Sequence, residues 1–543
     1  QAVSAPHSTK QPAQPVAMQR PGKASSQSAA AQAVEAPLPL SLAHRPRTEA
    51  FFMILFLACA LLPQLGLAGY AAVQWMNSDS SSFSVSQHNF TQAVSAWSKW
   101  FGVPLDDLAD QVTSSIVIAA VSALTLLYLL RVMMVRFMLY AVIFGSIAAL
   151  ILLGLRVSFG GVTLMEHPNP TMSWWQQQLG SRVGDLLILA GVVEASIVAF
   201  FWNQIWLAVA VLRSTQEFLK NASSVCILCP IVCGVVHACG MLIWAGSVLG
   251  AWTLLQADDG IGQVLRERYA VHTLLYLVLC YFWGNCFVGA VSSFTVAAVS
   301  AEWYYTPQDA KRHLVTPTYV LRVFEVGLFR HGGSLALGAL LLAAVRTLNF
   351  ALFWAGKVED ATEQQNQEWE HSWLRKSIRR AREWAANVLE AMAQFACKQA
   401  YVEIAVTGCG FLRGAARAAT RAKEAPKKFL AVEGAGFMQR GTCELLLIAS
   451  AAIGSAAVSQ LRHGDYQPKE IAVACFVAWL IAESLLHPIS LATTAILHCL
   501  LIDKCQAKLP HTPKALAEAL QHAEGQTGGS GDPLSYAAHY QSA

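Results

Sequence analysis

Four side chains in the stretch YFWGNCFVGAVSSFTVAAVSAEWYY, residues 281–305, have types and spacing that could do chemistry. Trp283, Phe287 and Phe294 recur at helical spacing and share one stripe; Asn285, Gly289, Ser292 and Val296 form a second, smaller and more polar one. Ring faces attract a desolvated ammonium by about 0.5–2 kcal/mol per contact. Several around one nitrogen would offset its dehydration, leaving Asn285 for a polar group of the same ligand. The same stripe also suits plain helix packing, and Asn285 a hydrogen bond to a neighbouring helix worth about 0.6–2 kcal/mol. Both readings stand at this point. Trp303, Tyr304 and Tyr305 fit the aromatic belt that marks a membrane–water boundary.

Carboxylates inside apolar runs are the next signal, because a charge there is costly and is retained for a reason. Glu194, in LLILAGVVEASIVAFFWNQIW, and Glu483, in VAWLIAESLLHPIS, each lie well inside such a run. Either could balance a cationic ligand or take a proton; either could equally be held neutral or satisfied by a partner helix. Trp202, with Asn203 and Trp206, continues the Glu194 face and would line the inner half of a path. CILCPIVCGVVHAC sets Cys226, Cys229, Cys233, His237 and Cys239 at metal-like spacing, but small buried thiols in a membrane helix account for it, and no metal or cofactor is expected. No G-x-S-x-G or H-E-x-x-H run is present, and RHGGS (Arg330 to Ser334) has no serine elbow to serve, so no enzyme is expected.

The elements that must position these residues are apolar and long. The runs are 51–73, 112–130, 137–155, 184–212, 224–255, 271–300, 334–355, 384–412, 443–461 and 470–502. A helical span needs about 20 apolar residues, so the chain reads as an all-α, polytopic membrane protein with about ten transmembrane helices. Pro63, Pro230 and Pro488 fall inside runs, where a kink or local unwinding is expected. At about 1.5 Å per residue, Trp283 and Phe287 lie about 18–24 Å below the outer end of their helix.

Of the 543 residues, 55% are hydrophobic and 13% charged, about half the charge of an ordinary soluble domain. A net charge of +4 without a basic low-complexity tract gives no footing for a nucleic-acid partner. Residues 1–49 and 504–543 read as polar, disordered cytoplasmic tails around a span-bearing region, 50–503. The chain begins at Gln1, which leaves room for residues before it, and no cleavable signal peptide precedes the first run. Arg45, Arg47, Arg131, Arg136 and RGAARAATRAKEAPKK (Arg413 to Lys428) place the N-terminus inside. The short outer loop 77–111 then carries a glycosylation sequon at Asn89, whereas Asn221 stays bare on the inner side. HSWLRKSIRRAREW resists this scheme, and 371–383 reads as an interfacial helix lying on the membrane surface.

Several segments, in order, resemble the choline transporter-like family. These are FWGN and AEWYY in the opening stretch, LFRHGGSLALGALLLAAVRTLNF (328–350), CKQAYVEIAVTGCGFLRGAARAA (397–419) and AILHCLLIDKC (495–505). The likeness runs from about residue 271 to 505. Two departures accompany it: the first outer loop lacks the family's cysteines, and Gln399 replaces a frequent Asn before the Ala-Tyr pair. The resemblance implies a ten-span plasma-membrane carrier with both ends in the cytoplasm, moving choline or a related amine such as ethanolamine, with the lipid bilayer as its other partner. On that implication Trp283, Asn285, Phe287, Phe294, Glu194, Trp202 and Glu483 are the expected substrate-binding residues. A non-transporting membrane scaffold or lipid-interacting protein is the alternative.

Overall fold

The computed structural model describes residues 47–77, 105–132, 135–159, 174–256, 268–307, 315–366, 372–464, 468–505, 513 and 516–517. Most of both tail readings, most of the first outer loop and the Asn89 sequon lie outside the described residues. Helix α1 (Ala50–Phe56) passes through a π turn (Leu57–Leu61) into α2 (Leu62–Asn77). Then come α3 (Leu105–Val132), α4 (Val135–Phe159), α5 (Trp174–Phe200), α6 (Trp202–Asn221), α7 (Ser223–Gln256) and α8 (Ala270–Tyr305). The order closes with α9 (Pro317–Arg330), α10 (Gly332–Asn366), α11 (Ser372–Thr407), α12 (Phe411–Glu424), α13 (Pro426–His463) and α14 (Pro468–Cys505). No strand occurs among the described residues.

Local chemistry sets these boundaries. α9, α13 and α14 each begin on a proline, whose missing N–H costs nothing in a first turn. The Thr316 hydroxyl caps α9 by accepting from the Tyr319 N–H at 3.3 Å. Gly408 (φ 71°) ends α11 and Gly464 (φ 72°) ends α13, both in the left-handed region. Pro63 cannot donate to the Cys59 carbonyl, and the helix widens into the π turn just before it. The freed carbonyl accepts the Tyr276 hydroxyl of α8 at 2.5 Å.

Among the described residues, eight helices are long and apolar enough to cross a membrane: Ala50–Gln74, Leu139–Ser158, Arg182–Phe200, Ser223–Leu255, Ala270–Tyr305, Gly332–Val358, Pro426–Arg462 and Pro468–Asp503. α3 adds a shorter apolar stretch, Thr113–Leu126. α11 is too polar to qualify by composition but runs antiparallel to α10 along most of its length. Arg379 lies against Gly356, Glu390 accepts from Arg346 and Asn349, and Cys397 donates to the Gly338 carbonyl. If α10 crosses the bilayer, α11 crosses beside it, which completes ten.

Three expectations are corrected. The run 184–212 is broken at Phe201, so Trp202 opens the separate helix α6. Residues 372–383 are not a separate surface helix; with no Gly or Pro before Thr407, they form the first turns of α11. Trp303 and Tyr304 are not an interfacial belt. Both are fully buried, Trp303 against Phe218 (5.6 Å between ring centres), with the Tyr304 hydroxyl donating to Asp503 at 3.0 Å.

That burial reflects how the bundle is built. α8 has 36 residues and α14 has 38, so each is well over 50 Å long, against a hydrocarbon core of about 30 Å. The excess lies at one end, where residues 290–301 of α8 and 491–503 of α14 are buried throughout. There α6 packs on α13 and α14, α9 on α7 and α8, and α12 on α10 and α11, forming a collar of amphipathic helices. A strap at 47–49 ties the collar together. Thr48 donates its N–H to the Arg330 carbonyl at 2.9 Å, and the Glu49 carboxylate (Glu49 φ 51°) accepts the Phe411 N–H at 3.2 Å. The strap thereby joins the α9–α10 break to the α11–α12 break.

Candidate functional site

The aromatic stripe of α8 is buried, and it is packed. Trp283 and Phe287 both pack against Phe56 of α1, with ring centres 5.3 and 4.6 Å apart, and the Trp283 indole N–H donates to the Ala336 carbonyl of α10 at 3.0 Å. Phe294 lies further along against His331 (5.1 Å) and Gly327. Asn285 is half-buried. In this conformation the rings cover one another.

The remaining expected residues do not join them. Glu194 accepts from Ser146 at 2.6 Å within the α4–α5 hairpin. Trp202 stacks on Tyr140 at 6.0 Å and is 39% exposed. Glu483 pairs with Arg440 across α13 and α14, and Arg440 also donates to Glu444 at 2.6 Å. The seven residues therefore occupy four separate places.

A buried polar lattice that the sequence reading did not assemble lies where α11, α13 and α14 meet. Glu433 of α13 accepts from Lys398 Nζ at 2.9 Å, from the Gln399 amide at 3.1 Å and from the Thr494 hydroxyl at 2.7 Å. The Gln399 amide oxygen faces His498 Nε2 at 2.6 Å. Since Gln399 spends its N–H on Glu433, its oxygen must accept, so His498 carries its proton on Nε2. His498 Nδ1 then faces Glu403 at 3.6 Å, and Glu403, fully buried, is paired with Arg421. One oxygen of Glu403 and the Nδ1 of His498 have no hydrogen-bond partner. Beyond the lattice, at the Gly408 break, Cys409 accepts the Thr407 hydroxyl at 3.2 Å, and burial pushes its thiol up, so it stays neutral.

A narrow crevice of about 10 Å³, room for about one water-sized sphere, lies between α13 and α14 beside this lattice, lined by Gly436, Gln439, Arg440, Leu486, Ser490 and Thr493 among others. Ser490 also stands 3.5 Å from Lys398 Nζ, which links the crevice wall to the lattice. The lattice and the aromatic cluster share a level of the bundle. Trp283 reaches the carbonyl of Ala336, and Cys397, next to Lys398, that of Gly338.

The sequence profile of the plasma-membrane choline transporter family matches residues 186–505, more than half of the chain. The chain belongs to this choline transporter-like family. That family is one of transporters, not enzymes. A CTL-like protein of Dictyostelium discoideum is 22% identical over 187 residues, which cover 31% of this chain and 34% of that protein. Choline transporter-like protein 1 of Caenorhabditis briggsae is 28% identical over 141 residues, 26% of this chain and 17% of the relative. Choline transporter-like protein 2 of Dictyostelium discoideum is 28% identical over 145 residues, 26% and 21% respectively. These matches span about a third of the relatives' own length or less.

The choline transporter-like segments now have physical roles in this chain. In Gly333-Ser334-Leu335-Ala336-x-Gly338, a Cβ on Gly333 would stand 1.9 Å from the Glu49 carbonyl oxygen, and Ser334 donates to Thr48 at 2.7 Å. Ala336 receives Trp283, and Gly338 leaves room for Tyr401 and Phe411. Gln399, the departure from the family's Asn, bridges Glu433 and His498. Lys398 and Glu403 were visible as polar residues inside an apolar run. Glu433 lies in the polar stretch before the run 443–461, and no local spacing links it to either.

Proposed function

We propose that the protein carries a small organic cation, choline or ethanolamine, across its membrane by alternating access, with Glu433 as the counter-ion and Trp283 and Phe287 as an aromatic wall. The observation that carries this reading is Glu433. It is a carboxylate inside the bundle, beside a crevice and level with buried rings, and its donors come from two other helices. Family membership supports the same class of cargo. Phe56 would withdraw to open the ring faces, each contact adding about 0.5–2 kcal/mol for a desolvated ammonium. A negative interior would favour entry by about 2.3 kcal/mol per 100 mV, enough to drive uptake without a coupled ion.

Uptake of labelled choline into liposomes carrying the full chain tests the reading. Glu433→Gln should cut uptake at least about tenfold, equivalent to about 1.4 kcal/mol, while Trp283→Ala and Phe287→Ala should raise the half-saturating concentration at unchanged protein content. Parent-like uptake by Glu433→Gln would remove the counter-ion. Inserted parent protein that moves neither choline nor ethanolamine would leave the scaffold alternative in its place.

A further inference from the structure

Two carboxylates of the lattice are matched by internal cations, and the two pairs differ in kind. Arg421 holds Glu403 where the acid is fully buried, with side-chain exposures of 16% and 0%. An arginine fork in a closed setting is a fixed strut. Lys398 holds Glu433 with exposures of 21% and 23%, and its ammonium also lies 3.5 Å from Ser490 on the crevice wall. A lysine is a compact point charge on a flexible four-carbon stem, suited to leaving and returning.

The charges around the crevice agree with this. Arg440 (+1) is shared by Glu444 (−1) and Glu483 (−1), a sum of −1 beside the opening. A cation is drawn toward this wall, where Arg440 is already held by two carboxylates and Lys398, 3.5 Å from Ser490, is the next cation. Glu433 accepts from one cation, one amide and one hydroxyl, and the cation, Lys398, is the donor whose place an ammonium could take.

We propose that Lys398 is a tethered stand-in for the substrate's ammonium group. It occupies Glu433 when no cargo is bound, and a small primary or quaternary ammonium that enters as the α13–α14 crevice widens displaces it toward Ser490. The cargo competes with a covalently attached copy of its own charged group, so Glu433 is never left bare in the bundle interior. This rests on the carrier reading above and adds to it which residue the cargo must displace.

The consequence has an unusual sign. A lysine with a purely structural role would weaken binding when lost, whereas removing a competitor strengthens it. Choline affinity of the purified full-length protein in nanodiscs, read by calorimetry and by the choline-induced rise in melting temperature, separates the two. Lys398→Gln should bind choline about tenfold more tightly than the parent and gain more thermal stabilisation from it. Glu433→Gln and the double variant should lose binding. Because removing one partner of a buried pair endangers folding, Lys398→Arg provides a second arm. Its fork grips the carboxylate more firmly, so affinity should fall about tenfold in a folded protein. Lys398→Gln that folds only with choline present also supports the proposal. A parent that transports choline while Lys398→Gln binds it no more tightly, or while Lys398→Arg is unchanged, overturns the tether and leaves the carrier standing. Absence of choline and ethanolamine binding in both the parent and Lys398→Gln overturns both.

Discussion

Gly333 and Gly284 lie in neighbouring helices, and the space around them sets opposite expectations. A Cβ at Gly333 would press on the backbone of Glu49, which cannot rotate away, whereas one at Gly284 meets nothing within 4 Å. Gly333→Ala must therefore displace the strap that joins the two helix breaks, at a cost of about 1–3 kcal/mol. Gly284→Ala gains helix propensity, up to about 1 kcal/mol. Melting temperatures of the two variants in detergent should move in opposite directions; a Gly333→Ala protein as stable as the parent would mean the strap is not anchored there. At this scale the sequence was legible only where one helix carries the signal. The α8 stripe of Trp283, Phe287 and Phe294 has a period that can be counted, and all three are buried. Lys398, Glu433, Thr494 and His498 come from three helices, and only the fold brings them together.

At the scale of elements, hydropathy located most spans because a helix in lipid must be apolar over about 20 residues whatever its partners. It placed α11 among the spans through the run 384–412, and its buried half, from Cys397 on, packs against α8, α10, α12 and α14. α6, α9 and α12 contribute amphipathic faces to a collar rather than spans. Pro63 was legible as a site of unwinding, but the use made of the freed carbonyl was not, since Tyr276 is 217 positions away from Cys59. That contact makes a coupled prediction. Tyr276→Phe should cost about 0.5–1.5 kcal/mol in the parent. In a Pro63→Ala background, where residue 63 regains an N–H for Cys59, it should cost close to nothing. The two effects form a double-mutant cycle. Additive losses would show that the π turn and the Tyr276 bond are independent.

For the whole molecule, the question is which end of the bundle the crevice and the lattice serve. Basic residues stand at both ends: Arg413, Arg417, Lys423, Lys427 and Lys428 on the collar, Arg379, Arg380 and Arg382 on the α10–α11 hairpin. Their number alone does not decide orientation, but the first span does. Arg45 and Arg47 precede it, and no Lys or Arg follows until Lys99, a bias that predicts an N-terminus on the cytoplasmic side. The strap carries that assignment to the rest of the chain, because Thr48 and Glu49 are bonded to the breaks beside α10 and α12. On that prediction the collar is cytoplasmic and the hairpin lies on the outer side. A cysteine placed at Arg380 should react with an impermeant maleimide in intact cells, and one at Lys423 only after permeabilisation. The reverse pattern would turn the bundle over, place the Lys398–Glu433 pair near the outer leaflet, and make the resting conformation one that awaits cargo from outside.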